Sequence, residues 1–396
     1  MQLKHLQDAD LKGKKVLARF DFNVPLTKTE PREITDSSRI DMAIPTIRLM
    51  LEKGASKITL ISHLGRPDGH PNPKYSLEPV ATYLAAKLGI DVILSESAID
   101  NGVKNLLQLP ETKIVLLENI RFLPGEEKND MELAEKLAQY GDVYVNDAFG
   151  AAHRKHSSTH AINAFFKNRA YAGLLMKKEI DSLGALLEKP KKPFIAIIGG
   201  AKVSDKIKTI EKMMVMVDTL LIGGAMAYPF LKAKGASVGK SLCSDEDVAL
   251  AKQLLSQDKG GKIQLPKDHI VSESLDGSGS INDGVSIREG FMGLDIGPET
   301  IRSYKDHIKT AKTIFWNGPM GLFESPSFAK GTMEMAKAIA NNESAFSVVG
   351  GGDSVAAVQK SGEADKFSHV SSGGGASLEY IERGELPGVQ ALKLGV

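Results

Sequence analysis

The 396-residue chain carries one cysteine, Cys243, and one tryptophan, Trp316. A lone cysteine excludes a disulfide framework and any zinc site built on several thiolates. It points to a reducing, cytoplasmic setting. No apolar run reaches the roughly 18 residues that a membrane-spanning helix needs. The opening stretch, MQLKHLQDADLKGKK, lacks the apolar centre of a secretory signal. A charge excess is missing too: 50 Lys and Arg stand against 49 Asp and Glu. A protein that coats nucleic acid or another polyanion needs a strong basic excess. Neutrality excludes such a coat, but it does not exclude a cleft lined for anions. Internal repeats and low-complexity tracts are also absent.

What is present is unevenly spread. The length suits two or three domains, and 42% hydrophobic with 25% charged residues is ordinary for a soluble globular chain. Eight of 11 arginines precede residue 170, and six of nine histidines precede residue 161. Only 11 of 38 glycines precede residue 190, none of them adjacent, whereas the later part has five glycine pairs or triplets. Arginine reads anions with a planar fork of donors. Glycine lets bare backbone N–H groups approach a phosphate. The two halves can thus bind anions by different means.

Short apolar runs rich in β-branched residues recur at 15–22, 58–62, 92–94, 114–117, 143–145, 194–198, 219–222, 263–265, 313–316, 346–349 and 369–371. Continuous runs of this kind suit strands buried on both faces. Helical patterns lie between many of them, at 131–139, 203–216, 245–257 and 331–341. Alternation of this sort predicts an α/β fold: two doubly wound domains with parallel sheets. The amphipathic stretch 172–187 predicts a helix joining them, either a hinge or a plain connector, ended by the EKPKKP run at 188–193.

Nearly every strand runs into a polar or glycine cluster, and ligands of open α/β sheets bind beyond the carboxyl ends of strands. Arg39, Arg66, Arg121, Arg154 and His63 can form a cage for a small dianion or carboxylate. Asp21 and Asn23 can orient a hydroxyl or simply close a turn. In GGAKVSDKI (199–207) the glycines end a strand and open a helix, a phosphate site. The spacing predicts Lys202 and Lys206 on one helical face toward a polyphosphate, ordered by Asp205. In GGGDS (350–354) Gly351 and Gly352 supply backbone donors, Asp353 can hold Mg²⁺ beside nucleotide phosphates, and Ser354 can cap the helix and touch phosphate.

Other nucleotide signatures are missing. GASVGKS (235–241) has its glycines one residue too close for a P-loop and reads as a loop; no strand-linked GxGxxG occurs; the protein-kinase HRD and DFG elements are absent. His153, His156 and His160 sit beside Arg154 and Lys155, which would repel a metal, so they read as anion contacts or surface. Trp316 reads as core.

The stretches RFDFNVP, SHLGRPDG, LLENIRF, NDAFGAAHRKHSS, GGAKVSDKI, WNGPMGLFE, GGGDS and GGGASLEYIE, in this order, resemble the phosphoglycerate kinase family. The resemblance runs from about residue 3 to the C-terminus. Ser354 stands where many members carry Thr, and residues 27–34 form a variable loop. The resemblance implies reversible phosphate transfer between ATP plus 3-phosphoglycerate and ADP plus 1,3-bisphosphoglycerate, with Mg²⁺, in a cytoplasmic monomer. It implies a glycerate domain at 1–170, with segment 380–396 packed back on it. A hinge helix at 171–187 and a nucleotide domain at 188–379 complete the implied organisation. Asp21, Asn23, Arg39, His63, Leu64, Gly65, Arg66, Arg121 and Arg154 fall on the family's glycerate contacts. Lys202, Lys206, Gly293, Glu324 and Gly351 to Ser354 fall on its nucleotide contacts, with Glu324 at the ribose and Gly293 at the adenine. Arg39, Lys202 and Lys206 would clamp the transferring group, helped by the backbone of Gly373 and Gly374. A glycerate carboxylate is already ionised at neutral pH, so no general base is required. Two other classes stay open on residues alone: a non-catalytic binder of phosphorylated metabolites, and a nicotinamide dehydrogenase, which the missing GxGxxG disfavours.

Overall fold

The structure, a computed structural model, describes residues 2–395. Met1 and Val396, the outer ends of the two segments expected in the glycerate domain, lie outside the described residues. The chain forms two compact units, Met1–Asp181 with Glu385–Val396, and Ser182–Gly384.

The first unit holds strands β1 (Lys15–Arg19), β2 (Lys57–Ile61), β3 (Val92–Leu94), β4 (Ile114–Leu116), β5 (Val143–Asn146) and β6 (Ala170–Ala172). They form one sheet in the order β3-β4-β2-β1-β5-β6, with every pairing parallel. The interiors of the central strands are mainly apolar and buried, as strands of a covered parallel sheet must be. Val16, Ala18, Ile58 and Leu60 pack with Ile40, Ile47 and Leu84 of the flanking helices Ser38–Glu52 and Glu78–Leu88.

The second unit repeats the design with β7 (Phe194–Ile198), β8 (Thr219–Ile222), β9 (Ile263–Gln264), β10 (His269–Ser272), β11 (Ser280–Asn282), β12 (Met292–Ile296), β13 (Thr313–Asn317), β14 (Phe346–Val349) and β15 (His369–Val370). Six of these make a parallel sheet, β15-β14-β13-β7-β8-β9. Ile195, Ile197, Ile314 and Trp316 pack there with Tyr304, Met335 and Ile339 of covering helices. Trp316 is buried and donates its indole N–H to Gly318 O at 2.8 Å.

The other three strands form a separate antiparallel sheet, β11-β10-β12, that the apolar-run pattern does not predict. Its sequence mixes glycine, serine and exposed Ile281 with buried positions, as expected for antiparallel strands with one wet face.

The joining helix spans Leu174–Glu188, not 172–187. Ala172 belongs to β6, paired with Asn146. Gly173 then permits close passage over Asp147; a Cβ there would fall 2.2 Å from Asp147 Oδ1. That same oxygen accepts the Met176 N–H at 2.9 Å and so caps the helix start. The unit boundary falls inside this helix, between Asp181 and Ser182. Helix Gly375–Arg383 stays with the second unit, where Thr209 Oγ1 donates to Glu382 Oε1 at 2.6 Å. The chain therefore returns to the first unit at Glu385, not at 380. There Gly388 N–H donates to Ala152 O at 2.8 Å.

Candidate active site

In the first unit the candidate residues follow β1, β2, β4 and β5, which are neighbours in the sheet, so their loops meet at one edge. Asp21 is the hub. Arg39, in the first turn of its helix, donates to Asp21 Oδ2 at 2.9 Å, and His63 Nδ1 lies 4.0 Å from Asp21 Oδ1. Burial raises the Asp21 carboxyl, but the imidazole, Arg39 and Arg19 around it more than offset this and leave it below the usual carboxylate range. His63 is pushed well below the ordinary imidazole value, chiefly by burial and further by Arg19, Arg121 and Arg39, against the opposing pull of Asp21. With His63 neutral, the guanidiniums carry the stabilisation of Asp21.

Asn23 Oδ1 accepts the Gly65 N–H at 2.9 Å, and Arg121 Nη1 donates to Gly65 O at 2.8 Å. Gly65 has φ +62, and a Cβ there would lie 2.4 Å from the Tyr75 ring. Only glycine fits. Leu64 is buried and bonded through its backbone to Asn119, whose Nδ2 donates to Leu64 O at 2.7 Å and Tyr75 O at 2.9 Å. Arg121 is almost buried, and its Nε faces Glu127 Oε1 at 3.3 Å. Arg66 and Arg154 are exposed at the same strand ends; Arg154 Nε donates to His153 Nε2 at 3.1 Å. Thus Asp21, Asn23, Arg39, His63, Leu64, Gly65 and Arg121 are stitched together, and Arg66 and Arg154 add exposed cations at the same edge.

His156 departs from the surface expectation. It is buried, with Nδ1 3.9 Å from Glu126 Oε1. Burial pushes its imidazole down to about 3, with Arg19 and Arg121 adding to the effect.

In the second unit the loops after β7, β13, β14 and β15 lie side by side. Those after β7, β13 and β14 pack closely. A Cβ on Gly199 would lie 2.0 Å from Pro319 O, and one on Gly351 would lie 2.3 Å from Asn317 Nδ2. Helix Gly352–Ser361 starts from Gly351 at φ +91 with no side chain capping it. Its first N–H groups and its dipole suit an anion. Ser354 does not cap this helix. It is buried, and its hydroxyl accepts the Gly318 N–H at 2.5 Å, tying β13 to the glycine loop. Helix Gly375–Arg383 likewise starts uncapped after Gly374, at φ +53, with Gly373 just before it.

Lys202 and Lys206 do not share a helical face. Lys202 lies in the loop, Ser204–Lys206 is a 3₁₀ turn, and the α-helix begins at Ile207. Gly200, at φ +117, bends the chain and buried Val203 anchors it, which delays the helix. Lys202 is exposed. The Lys206 ammonium donates to Gly199 O at 2.7 Å and Asn317 O at 3.4 Å. Loss of solvent pushes it down to about 8, against the pull of Asp353 and Asp205. Gly293, in β12, is buried with Tyr228 on one side; a Cβ would meet that hydroxyl at 2.0 Å. Glu324 and Asp353 are exposed. Lys240, in the GASVGKS loop, bonds its N–H to Phe291 O at 2.8 Å, so that amide is already taken and does not point to a phosphate.

Among the described residues no three His, Cys, Asp or Glu side chains form a metal cluster. A single exposed carboxylate at a helix start, Asp353, fits Mg²⁺ that takes its other ligands from phosphate and water. Among the described residues, too, no helix is long and apolar enough to cross a membrane.

Arg19, Asn119, Glu126, Ser158 and Asn317 complete these networks and are missing from the sequence-derived set. Arg19, Asn119, Ser158 and Asn317 lie within the polar stretches at the strand ends, which is the signal available for them, whereas Glu126 lies outside those stretches.

One unit ending in guanidiniums and the other in glycine-rich helix starts define a phosphotransferase of the doubly wound α/β class. Residues 6–384 match the family model described as Phosphoglycerate kinase. A phosphoglycerate kinase of Anaeromyxobacter sp. is 50% identical, the match covering 99% of this chain and 100% of the relative. A cytosolic phosphoglycerate kinase of Triticum aestivum is 49% identical over 98% of this chain and 97% of its own. The solved phosphoglycerate kinase of Coxiella burnetii superposes with a TM-score of 0.88 at 38% identity, covering 99% of this chain and 98% of that one. The chain belongs to the phosphoglycerate kinase family and is an ATP-using kinase.

Proposed function

We propose that the first unit binds 3-phosphoglycerate and 1,3-bisphosphoglycerate, that the second binds ATP and ADP, and that phosphate passes directly between them. The observation that carries this is the pairing of two unlike anion sites, each at the carboxyl edge of its own parallel sheet. Arg39, Arg66, Arg121 and Arg154 hold the glycerate's anionic ends, while Asp21, Asn23 and His63, with the Leu64–Gly65 backbone, set its orientation. Lys202 and the backbone of Gly351, Gly352 and Ser354 hold the nucleotide phosphates, Glu324 the ribose and Gly293 the base. Lys206 leaves its backbone carbonyls for the transferring group and joins Arg39, Lys202 and the Gly373–Gly374 backbone in neutralising it. Mg²⁺, when held by Asp353 and the phosphates, supplies charge neutralisation. The acceptor carboxylate attacks already ionised, so the protein's task is positioning and exclusion of water.

In-line transfer needs the two substrates brought together by motion about helix Leu174–Glu188. Small-angle scattering of the doubly liganded protein shows compaction on this reading; no compaction contradicts the hinge. The protein acts as a cytoplasmic monomer. Calorimetry tests the two-site assignment: one ATP and one 3-phosphoglycerate bind together to each chain. Mutually exclusive binding overturns it and favours a non-catalytic binder.

A further inference from the structure

Behind His63 lies a line of buried polar groups that the glycerate contacts do not use. Arg19, Glu126 and Ser158 are all fully buried. A buried guanidinium and carboxylate are costly unless paired and fully hydrogen-bonded. Ser158 joins them. Arg19 Nε donates to Ser158 Oγ at 2.8 Å, and that hydroxyl donates to Glu126 Oε1 at 2.6 Å. The Ser158 N–H donates to Glu126 Oε2 at 3.0 Å, and the Tyr144 hydroxyl holds Ser158 O at 2.6 Å. Arg19 Nη1 donates to Phe20 O, and Nη2 meets His63 Nδ1 at 3.1 Å. The guanidinium plane is fixed on three sides.

A guanidinium has donors only. Its contact on His63 must therefore be a lone pair, which leaves Nδ1 bare and puts the ring's proton on Nε2. Asp21 competes for the same nitrogen from 4.0 Å. Alone, it would draw a proton to Nδ1 and make an imidazolium. Arg19 stands closer and repels that proton, and Arg39 and Arg121 add positive charge from two other elements.

We propose that Arg19, braced by Ser158 and Glu126, is a positioning residue that fixes His63 as the neutral Nε2–H tautomer. The ring then offers the glycerate a neutral donor and not a charge. This rests on the reading of His63 as a glycerate contact. It implies that glycerate affinity is insulated from histidine titration across the pH range where imidazoles usually switch.

The test is ¹⁵N–¹H correlation spectroscopy of the full-length protein with labelled histidine, from about pH 5 to pH 8. The expected spectrum has His63 Nδ1 unprotonated and Nε2 protonated, without titration. Arg19→Gln removes the charge and offers an amide oxygen that can accept a hydrogen bond from Nδ1–H. In this variant the Nδ1–H tautomer appears and, with Asp21 no longer opposed from that side, His63 begins to titrate; the KM for 3-phosphoglycerate falls about five- to tenfold as pH drops, since an imidazolium binds anions better than a neutral ring. The KM for ATP and the kcat at saturation stay near the parent values. Ser158→Ala, a smaller lesion that loosens the same brace, shows the same change at reduced size should Arg19→Gln fail to fold. An imidazolium or Nδ1–H tautomer in the parent protein overturns the proposal. So do folded variants with unchanged tautomer and pH profile. If 3-phosphoglycerate leaves the His63 resonances unmoved, the glycerate reading falls while the tautomer assignment stands.

Discussion

Gly351→Ala isolates the nucleotide site. Gly351 has φ +91 and ψ 140, a region that essentially only glycine occupies, and a side chain there costs about 1–3 kcal/mol. The added Cβ would also fall 2.3 Å from Asn317 Nδ2. Asn317 must move and give up its 2.7 Å bond to Gly350 O, a loss of about 1 kcal/mol. Together these come to ~2–4 kcal/mol. Part appears as lower stability and part as a displaced helix start. If half reaches the bound state, the KM for ATP rises about tenfold, at 1.4 kcal/mol per tenfold. The KM for 3-phosphoglycerate changes by less than about twofold, because the first unit is untouched. Steady-state kinetics with each substrate varied, beside a urea midpoint, separates the two effects. An unchanged KM for ATP in a folded variant refutes the assignment of this loop to phosphate. Gly65→Ala is the mirror experiment: its Cβ would strike Tyr75, and it raises the KM for 3-phosphoglycerate while leaving that for ATP alone.

Other expectations follow from the same geometry. Arg39→Ala lowers kcat by ~10²–10³-fold or more, as for loss of a charge-stabilising donor, while ATP binding by calorimetry stays near normal; lost ATP binding with intact kcat contradicts the role. Asp147 is fully buried and raised to about 6, mainly by burial. Its ionised form therefore destabilises the fold above pH 6, and the fold regains that stability as pH falls toward 4. Asp147→Asn should stabilise by up to ~3 kcal/mol at pH 8 and by little at pH 4; equal gains at both pH values, by chemical denaturation, would count against a buried ionised carboxylate. Lys206, pushed down to about 8, loses its charge as pH rises through that value. The kcat/KM for ATP should fall on that alkaline limb, and Lys206→Arg should move the limb to higher pH; a limb unmoved by this change assigns it elsewhere.

The parallel sheets were legible because β7 and the centre of β13, Ile314 to Trp316, are buried on both faces and apolar. The antiparallel sheet β11-β10-β12 was not, since strands with a wet face carry no continuous apolar run. The strand-end loops announced themselves by glycine and arginine. What each side chain does there was harder to read. Lys202 and Lys206 are spaced for one helical face, but Gly200 bends the chain first. Ser354 stands at a helix start like a cap, but its hydroxyl serves Gly318 across the sheet. The roles of Glu126 and Ser158 give no local signal because their partner, Arg19, is more than a hundred residues away in sequence. Such pairings depend on tertiary register, which spacing along the chain does not encode.

The most direct measurement is a coupled assay of 1,3-bisphosphoglycerate formation by the purified chain. Turnover should require ATP, 3-phosphoglycerate and Mg²⁺ together, and should be lost in both Arg39→Ala and Lys202→Ala. Binding of both substrates with no turnover, or turnover that survives both substitutions, would contradict the account.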